Sequence, residues 1–320
     1  MKSSAIDTMD KQCCTIVVSV YNEEPVLRQF HRELSEALAS LDYDAEVLYV
    51  NDGSIDGSAP LLDSIAAADS RVKAIHFSRN FGHEAAMIAG IDHAAGDVII
   101  CMDADLQNPP TLLTGMLKLY ADGNDIVTMT REGRADGGLY KRITSRLFYN
   151  LINRLSDTHL QPNASDFFLL SRRVADVLRS DYRERTRFLR GIVQSVGFYT
   201  ATLPYQAPQR AAGKSKYSFS RLLRFAFTSI ASFSKAPLKI GIYSGLLFGL
   251  LSLILIIYSV VMWVIDRPVG GYTTLIIFLS AFAGILLLVV GIIGYYIGFI
   301  LDEVKGRPIY IVDHISQSNN

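Results

Sequence analysis

Three cysteines, one tryptophan and six histidines in 320 residues leave little room for several kinds of chemistry. Cys13 and Cys14 are adjacent and Cys101 sits in an apolar run, which makes neither a disulfide framework nor a metal-ligand spacing. Core thiols in a reducing compartment are expected. The histidines are scattered, none spaced for metal binding with a cysteine or another histidine, and His76 and His83 read as ordinary strand and loop residues. No Gly-x-x-x-x-Gly-Lys and no Gly-x-Gly-x-x-Gly occurs, which argues against P-loop ATPase and nicotinamide chemistry. An excess of one charge is missing too, with 31 basic and 31 acidic residues, and no nucleic-acid partner is expected. Acidic residues precede the short apolar run Cys13–Val20, so no signal peptide is expected and the first two hundred residues should be cytoplasmic.

Long apolar runs, by contrast, are present. Ile240–Ile265 and Tyr272–Leu301 carry no charge, and each is long enough to cross a ~30 Å hydrocarbon core as a helix. Between Arg210 and Lys239 stand seven basic residues and no acidic one, while the connector Asp266–Gly271 holds a single basic residue, Arg267. The positive-inside rule then puts both flanks in the cytoplasm and the connector outside. The expected organisation is a catalytic domain over 1–210, a basic segment over 211–239, two spans over 240–301 and a cytoplasmic tail over 302–320. Ser218–Phe233, basic on one side and Phe/Leu-rich on the other, reads either as an interfacial helix on the inner leaflet or as a surface helix packed on the core. Gly-x-x-x-Gly patterns at 241/245, 245/249 and 294/298 would pack the spans together or drive homo-oligomers.

In the first 130 residues short β-branched runs alternate with helical periodicity. Cys14–Val20, Glu46–Val50, Val72–Phe77, Val98–Met102 and Ile126–Met129 predict buried strands. Val26, Phe30, Leu34, Leu38 and Leu41 predict a helix opening at Pro25, and Ala59–Ala68, Glu84–Ala94 and Pro110–Tyr120 predict further crossovers. This order predicts an α/β fold with a parallel, doubly wound sheet. Gly133–Gly138 reads as a loop and Leu139–Leu155 as a basic helix, with Phe167–Leu170 and Val196–Leu203 as edge strands.

Ligands of open α/β sheets bind beyond the carboxyl ends of the strands, and polar clusters fall there: Tyr21-Asn22-Glu23-Glu24, Asn51-Asp52-Gly53-Ser54, Ser78-Arg79-Asn80-Phe81-Gly82 and Asp103-Ala104-Asp105-Leu106-Gln107. Acidic residues after three neighbouring strands should converge on one cleft, where their charge needs a cation. Asp103, Asp105 and Gln107 offer only oxygen, a donor set for Mg²⁺ or Mn²⁺, and Mg²⁺ is typically completed by substrate phosphates.

These four clusters resemble, in order and spacing, the family 2 glycosyltransferases of the nucleotide-diphospho-sugar-transferase (Rossmann-like, GT-A) fold. The resemblance is closer to the polyprenyl-phosphate branch, which is similar to dolichol-phosphate mannose synthase and bacterial undecaprenyl-phosphate sugar transferases. Ser165-Asp166-Phe167, Arg187-Phe188-Leu189-Arg190-Gly191, and Arg210 followed by Gly213-Lys214-Ser215-Lys216-Tyr217 extend it. Asn51 departs from the Asp common at that position, and the absence of Gln-x-x-Arg-Trp argues against processive polysaccharide synthases. The resemblance implies inverting, metal-dependent sugar transfer from a nucleotide-diphospho-sugar, a UDP-sugar, to a polyprenyl phosphate at the inner leaflet. It implies that Tyr21, Glu23, Asp52 and Asp103 bind the nucleotide sugar and that Asp103, Asp105 and Gln107 hold the metal. Arg131 and Arg210 would bind diphosphate or lipid phosphate, and Asp166 is the position of the catalytic base. Lys214, Ser215 and Lys216 would hold the acceptor phosphate, or the lysines serve only as membrane-surface charge. Because a phosphate's second pKa is about 6, the acceptor needs little help from a base, so an orienting role for Asp166 stays open. A hydroxyl acceptor, or a domain that only binds nucleotide sugars, are the rival readings.

Overall fold

The computed structural model describes residues 11–132, 161, 164–185, 188–206, 208, 236–265 and 270–318. The chain divides into two units, one holding the N-terminal two-thirds together with 308–320, the other holding mainly 218–307.

The first unit is an eight-stranded sheet. Its elements are β1 (Cys13–Val20), α1 (Glu24–Ala39), β2 (Asp44–Asn51), α2 (Ser58–Ala68), β3 (Val72–Phe77), α3 (His83–His93), β4 (Val98–Asp103), α4 (Leu113–Ala121), β5 (Ile126–Glu132), β6 (Ala164–Ser171), α5 (Arg172–Ser180), α6 (Leu189–Ser195), β7 (Thr200–Gln206) and β8 (Val312–Gln317). The order across the sheet is β7-β5-β6-β4-β1-β2-β3-β8. The four strands β4, β1, β2 and β3 run parallel, so their carboxyl ends share one edge: Ser19 pairs with Asp103 and Val20 with Asn51.

The apolar periodicity of α1 buries Val26, Leu27, Phe30, Leu34 and Leu38 against one face. Ile16, Val18, Tyr49, Ile100 and Met102 meet them from the strands. On the opposite face α3 packs Ala85, Ala86 and Ala89 on Val50, Ile75 and Phe77. Small residues let α3 approach closely; a Cβ at Gly90 would stand 2.0 Å from the Val17 Cγ1.

Three expectations need correction. The sheet is mixed, because β6 runs antiparallel to both β4 and β5 and β8 antiparallel to β3. β6 is also interior rather than an edge; seven of its eight residues, all but Asp166, are buried, as two covered faces demand. β7 is the edge on that side. The segment after the second apolar helix, expected as a tail, re-enters the sheet: Val312–Gln317 covers the otherwise open edge of β3. Tyr310 fastens the approach, its ring stacked on Phe77 at 5.2 Å and its hydroxyl donating to Asp92. The expected loop 133–138, the basic helix 139–155 and the amphipathic helix 218–233 lie outside the described residues.

The second unit contains α7 (Ala236–Val264) and α8 (Tyr272–Val304). Within them Pro237–Met262 and Ile277–Val304 are long and apolar enough to cross a membrane. Their leucines and isoleucines are largely uncovered, Leu246 at 67% and Leu287 at 71% exposure. Phe248 of α7 meets Phe278 and Phe282 of α8 at 5.8 and 5.7 Å. Gly241 faces Val289, whereas Gly245, Gly249, Gly294 and Gly298 have open space where a Cβ would stand, so most of the Gly-x-x-x-Gly positions do not join these two helices.

Gly53 is the turn after β2 that no other residue fits. Its φ is +62°, and an added Cβ would lie 2.4 Å from the Arg79 carbonyl carbon. Gly53→Ala should therefore destabilise the fold by more than the ~1–2 kcal/mol of left-handed backbone strain, read as a lowered unfolding midpoint of the detergent-solubilised protein.

Candidate active site

Each carboxyl strand end leaves the sheet through a turn stitched to its neighbour. After β1, Asn22 takes a left-handed φ of 57°. Its Oδ1 accepts the Ile55 N–H at 2.9 Å, and its own N–H donates to Ser54 Oγ at 3.0 Å. The Glu23 N–H donates to Ser58 Oγ at 3.0 Å. These bonds join the Tyr-Asn-Glu-Glu turn to the Asn-Asp-Gly-Ser turn, and leave the Tyr21 ring 45% exposed beside them.

Asp52 is buried, and its carboxylate is turned into the protein. It accepts the N–H groups of Phe81 at 2.6 Å and Gly82 at 3.0 Å and the Asn80 amide at 2.9 Å. Burial raises its pKa, against these donors. The expectation that Asp52 joins Asp103 and Asp105 around one ion is corrected by the strand order. β1 lies between β2 and β4, and two strand spacings are about 10 Å. Asp52 organises the loop that opens α3.

Asp103 ends β4. Its Oδ1 accepts the Ser19 hydroxyl at 2.8 Å and lies 3.4 Å from His83 Nδ1, while no protein partner is recorded for Oδ2 among the described residues. Asp105 sits in a turn in which its Oδ1 accepts the Gln107 N–H at 3.0 Å and Leu106 adopts a φ of 60°. A left-handed leucine is costly, and such strain persists where surrounding structure holds it. Gln107 is buried and shapes the Asp105 turn through its backbone.

β6 enters from the opposite direction. Cys101 pairs with Phe168, so Asp166 on β6 and Asp103 on β4 stand at the same level two residues farther along. Asp166 forms a two-pronged ion pair with Arg190, at 2.6 and 3.1 Å. Its Oδ2 is 3.8 Å from His83 Nε2. Burial opposes ionisation of Asp166, but Arg190, His83 and Arg131 together hold its carboxyl below the usual range. Arg131, at the end of β5, donates through Nε to the Tyr205 hydroxyl, which donates to Asn108 in the loop after β4.

His83, expected as an ordinary loop residue, is thus the bridge between Asp103 and Asp166. Desolvation pulls its pKa down, but the two carboxylates prevail and raise it. The available signal was Phe81-Gly82-His83-Glu84 opening a helix directly after a parallel strand. Arg190 was visible only as part of a motif. Glu84 accepts the Leu189 N–H at 3.0 Å, and burial pushes its pKa up to about 7. Asp103, Asp166, Arg131, His83 and Arg190 are therefore brought together, and Asp105 and Gln107 flank them. Tyr21, Glu23 and Asp52 lie along the same edge beyond β1. Arg210, Lys214, Ser215 and Lys216 lie outside the described residues.

The sequence profile of glycosyl transferase family 2 matches residues 15–179. This chain belongs to that family. It is 38% identical over 301 residues to the uncharacterized glycosyltransferase YkcC of Bacillus subtilis, covering 93% of this chain and 92% of that one. It is 35% identical over 306 residues to the bactoprenol glucosyl transferase of Shigella phage SfII, covering 95% and 99%. Among solved structures, mannosyl-3-phosphoglycerate synthase from Rubrobacter xylanophilus is similar at a TM-score of 0.49 and 16% identity, over 69% of this chain and 72% of that one. The mixed sheet with its carboxyl-edge site is the glycosyltransferase domain.

Glu84 gives this domain a pH-dependent stability. Its folded pKa lies above the ordinary 4.5, so the folded state holds the proton longer, and stability falls as pH rises from about 4.5 to 7. Glu84→Gln keeps an acceptor for the Leu189 N–H and removes that loss. Its thermal midpoint should match the parent at pH 4.5 and exceed it at pH 8.

Proposed function

We propose that this glycosyltransferase moves a sugar from a nucleotide-diphospho-sugar, a UDP-sugar, to a polyprenyl phosphate at the inner leaflet, with inversion. The observation that carries the reading is the placement of Asp103 and the Arg190-bound Asp166 at one level of neighbouring strands, with His83 between them. Relatives named bactoprenol glucosyl transferase, similar over nearly their whole length, support the lipid acceptor, as do two apolar helices that would hold the enzyme at its substrate.

The donor set fits a hard divalent ion. Asp103 keeps one oxygen anchored by Ser19 and presents the other, and the Asp105 turn adds a second carboxylate. Mg²⁺ or Mn²⁺ held by Asp103 and Asp105, with Gln107 supporting them, would neutralise charge on the departing diphosphate. Arg131 is fixed by Tyr205 and supplies positive charge without reorganisation. Tyr21, Glu23 and Asp52 line or organise the nucleotide side. Arg210, Lys214, Ser215 and Lys216 would hold the acceptor phosphate. The acceptor's phosphate oxygen attacks the anomeric carbon as the bond to the diphosphate breaks, giving a phosphodiester.

The surroundings of Asp166 favour a phosphate acceptor over a hydroxyl. A hydroxyl needs a base to take its proton, and a carboxyl held below its ordinary pKa by Arg190 and His83 is a poor one. A phosphate is already mostly deprotonated at neutral pH. Asp166 therefore orients Arg190 and the acceptor.

Both flanks of the apolar hairpin belong to one side. The chain leaves the sheet unit before α7 and returns to it as β8, which supports an even number of crossings. The basic 210–239 segment supports the cytoplasm as that side.

Radiolabelled nucleotide-sugars incubated with membranes containing undecaprenyl phosphate should yield lipid-extractable label that disappears with EDTA or Asp105→Ala. Label on diacylglycerol with none on polyprenyl phosphate would overturn the acceptor. Asp166→Asn should lower kcat by about 10²-fold through mispositioning, equally at pH 6 and pH 8.5. A larger loss at pH 6 would assign it a proton-accepting role instead.

A further inference from the structure

We propose that Asp63, His76 and His314 form a second metal site, suited to Zn²⁺, that pins the C-terminal strand to the sheet. It stands independently of the reading of the transfer reaction. The three side chains come from α2, β3 and β8, and one ligand atom of each lies within 4.8 Å of the others. His76 and His314 are directly opposite in the β3–β8 pair. The site is three strands from Asp103, about 14 Å at the spacing of a sheet.

Two features point to a cation. His76 is buried, and its Nε2 lies 3.1 Å from Asp63 Oδ1 yet makes no aligned hydrogen bond. A simple ion pair leaves that nitrogen poorly used. On β8, the His314 Nδ1–H donates to Asp313 Oδ2 at 2.8 Å, which leaves Nε2 with the lone pair. A carboxylate behind a ligating imidazole is the usual support of a metal-bound histidine. Asp63 Oδ1 also accepts the Ser316 hydroxyl at 2.6 Å, fixing its orientation. Two imidazoles and a carboxylate are zinc ligands, whereas Mg²⁺ prefers oxygen alone.

Binding carries two local requirements. The His76 and His314 rings are stacked 4.4 Å apart with 3° between their planes. Parallel rings hold their lone pairs in separate planes, so the half-exposed His314 ring must turn. Asn51 Nδ2 faces His76 Nδ1 at 3.0 Å while Asn51 Oδ1 takes the Ser54 N–H, which places the His76 proton on Nε2. With an ion at Nε2 that proton moves to Nδ1, and Asn51 must turn its oxygen toward it. An aspartate at this position would accept the Nδ1–H with one oxygen and the Ser54 N–H with the other.

The test uses the full chain in detergent, stripped of metal and held in excess Mg²⁺ to occupy the oxygen site. Zn²⁺ is titrated against a chromophoric chelator, and amide exchange is followed over 312–317. One equivalent should bind and slow exchange in that strand. His314→Ala and Asp63→Asn should each weaken binding more than about a hundredfold, exceeding the loss typical of an outer partner, and Asn51→Asp should tighten it. Affinity unchanged in His314→Ala, with circular dichroism showing the fold retained, would overturn the site. So would zinc binding that is lost in Asp103→Asn instead.

Discussion

Negative charge gathered at one sheet edge is the constraint around which this domain is organised. Asp103 and Asp166 both lie within 4 Å of His83, and Glu84 feels the charge of Asp166; two unit charges 4 Å apart near a protein surface interact by about 4 kcal/mol. His83 stands between the first two, Arg190 clasps Asp166, and Arg131 adds its charge from the far strand. Beside them Glu84, buried and also near the charge of Asp166, holds its proton up to about pH 7. A diphosphate arriving at the same edge would add further negative charge, which is the physical ground for the divalent ion proposed at Asp103 and Asp105.

The sheet's mixed directions make that gathering achievable. Parallel strands alone bring Ser19, Asn51, His76 and Asp103 to one edge. β6 runs the other way, so the start of that strand, with Asp166, meets the end of β4. Arg190 follows on α6, whose entry is tied to α3 by the Glu84 bond to Leu189. One helix start thus positions both His83 and the group that holds Arg190 in place.

The opposite edge solves a different problem. An uncovered β3 would offer unpaired N–H and C=O groups, and β8 closes it with chain that has already passed through the apolar hairpin. Tyr310 stacked on Phe77 and the Asp63–Ser316 bond fasten that return. The two apolar helices are thereby followed in the chain by a strand of the sheet.

Much of this was legible in the chain itself. Apolar period and β-branched runs are local properties, so β1 to β5, α1 to α4 and both apolar helices fell within a few residues of their expected places. The acidic turns after β1, β2 and β4 were readable as a site because parallel strands put consecutive carboxyl ends on one side. Which carboxylates share a partner is not a local property. Asp52 and Asp103 look alike in sequence, but one strand intervenes and the N–H groups of Phe81 and Gly82 claim Asp52. His83, Arg190 and Asp166 are separated by up to 107 positions in sequence and meet only because β6 is antiparallel. His314 reaches His76 across 238 positions through the pairing of β8 with β3. Period and composition decided the elements; strand order and direction decided which charges face one another.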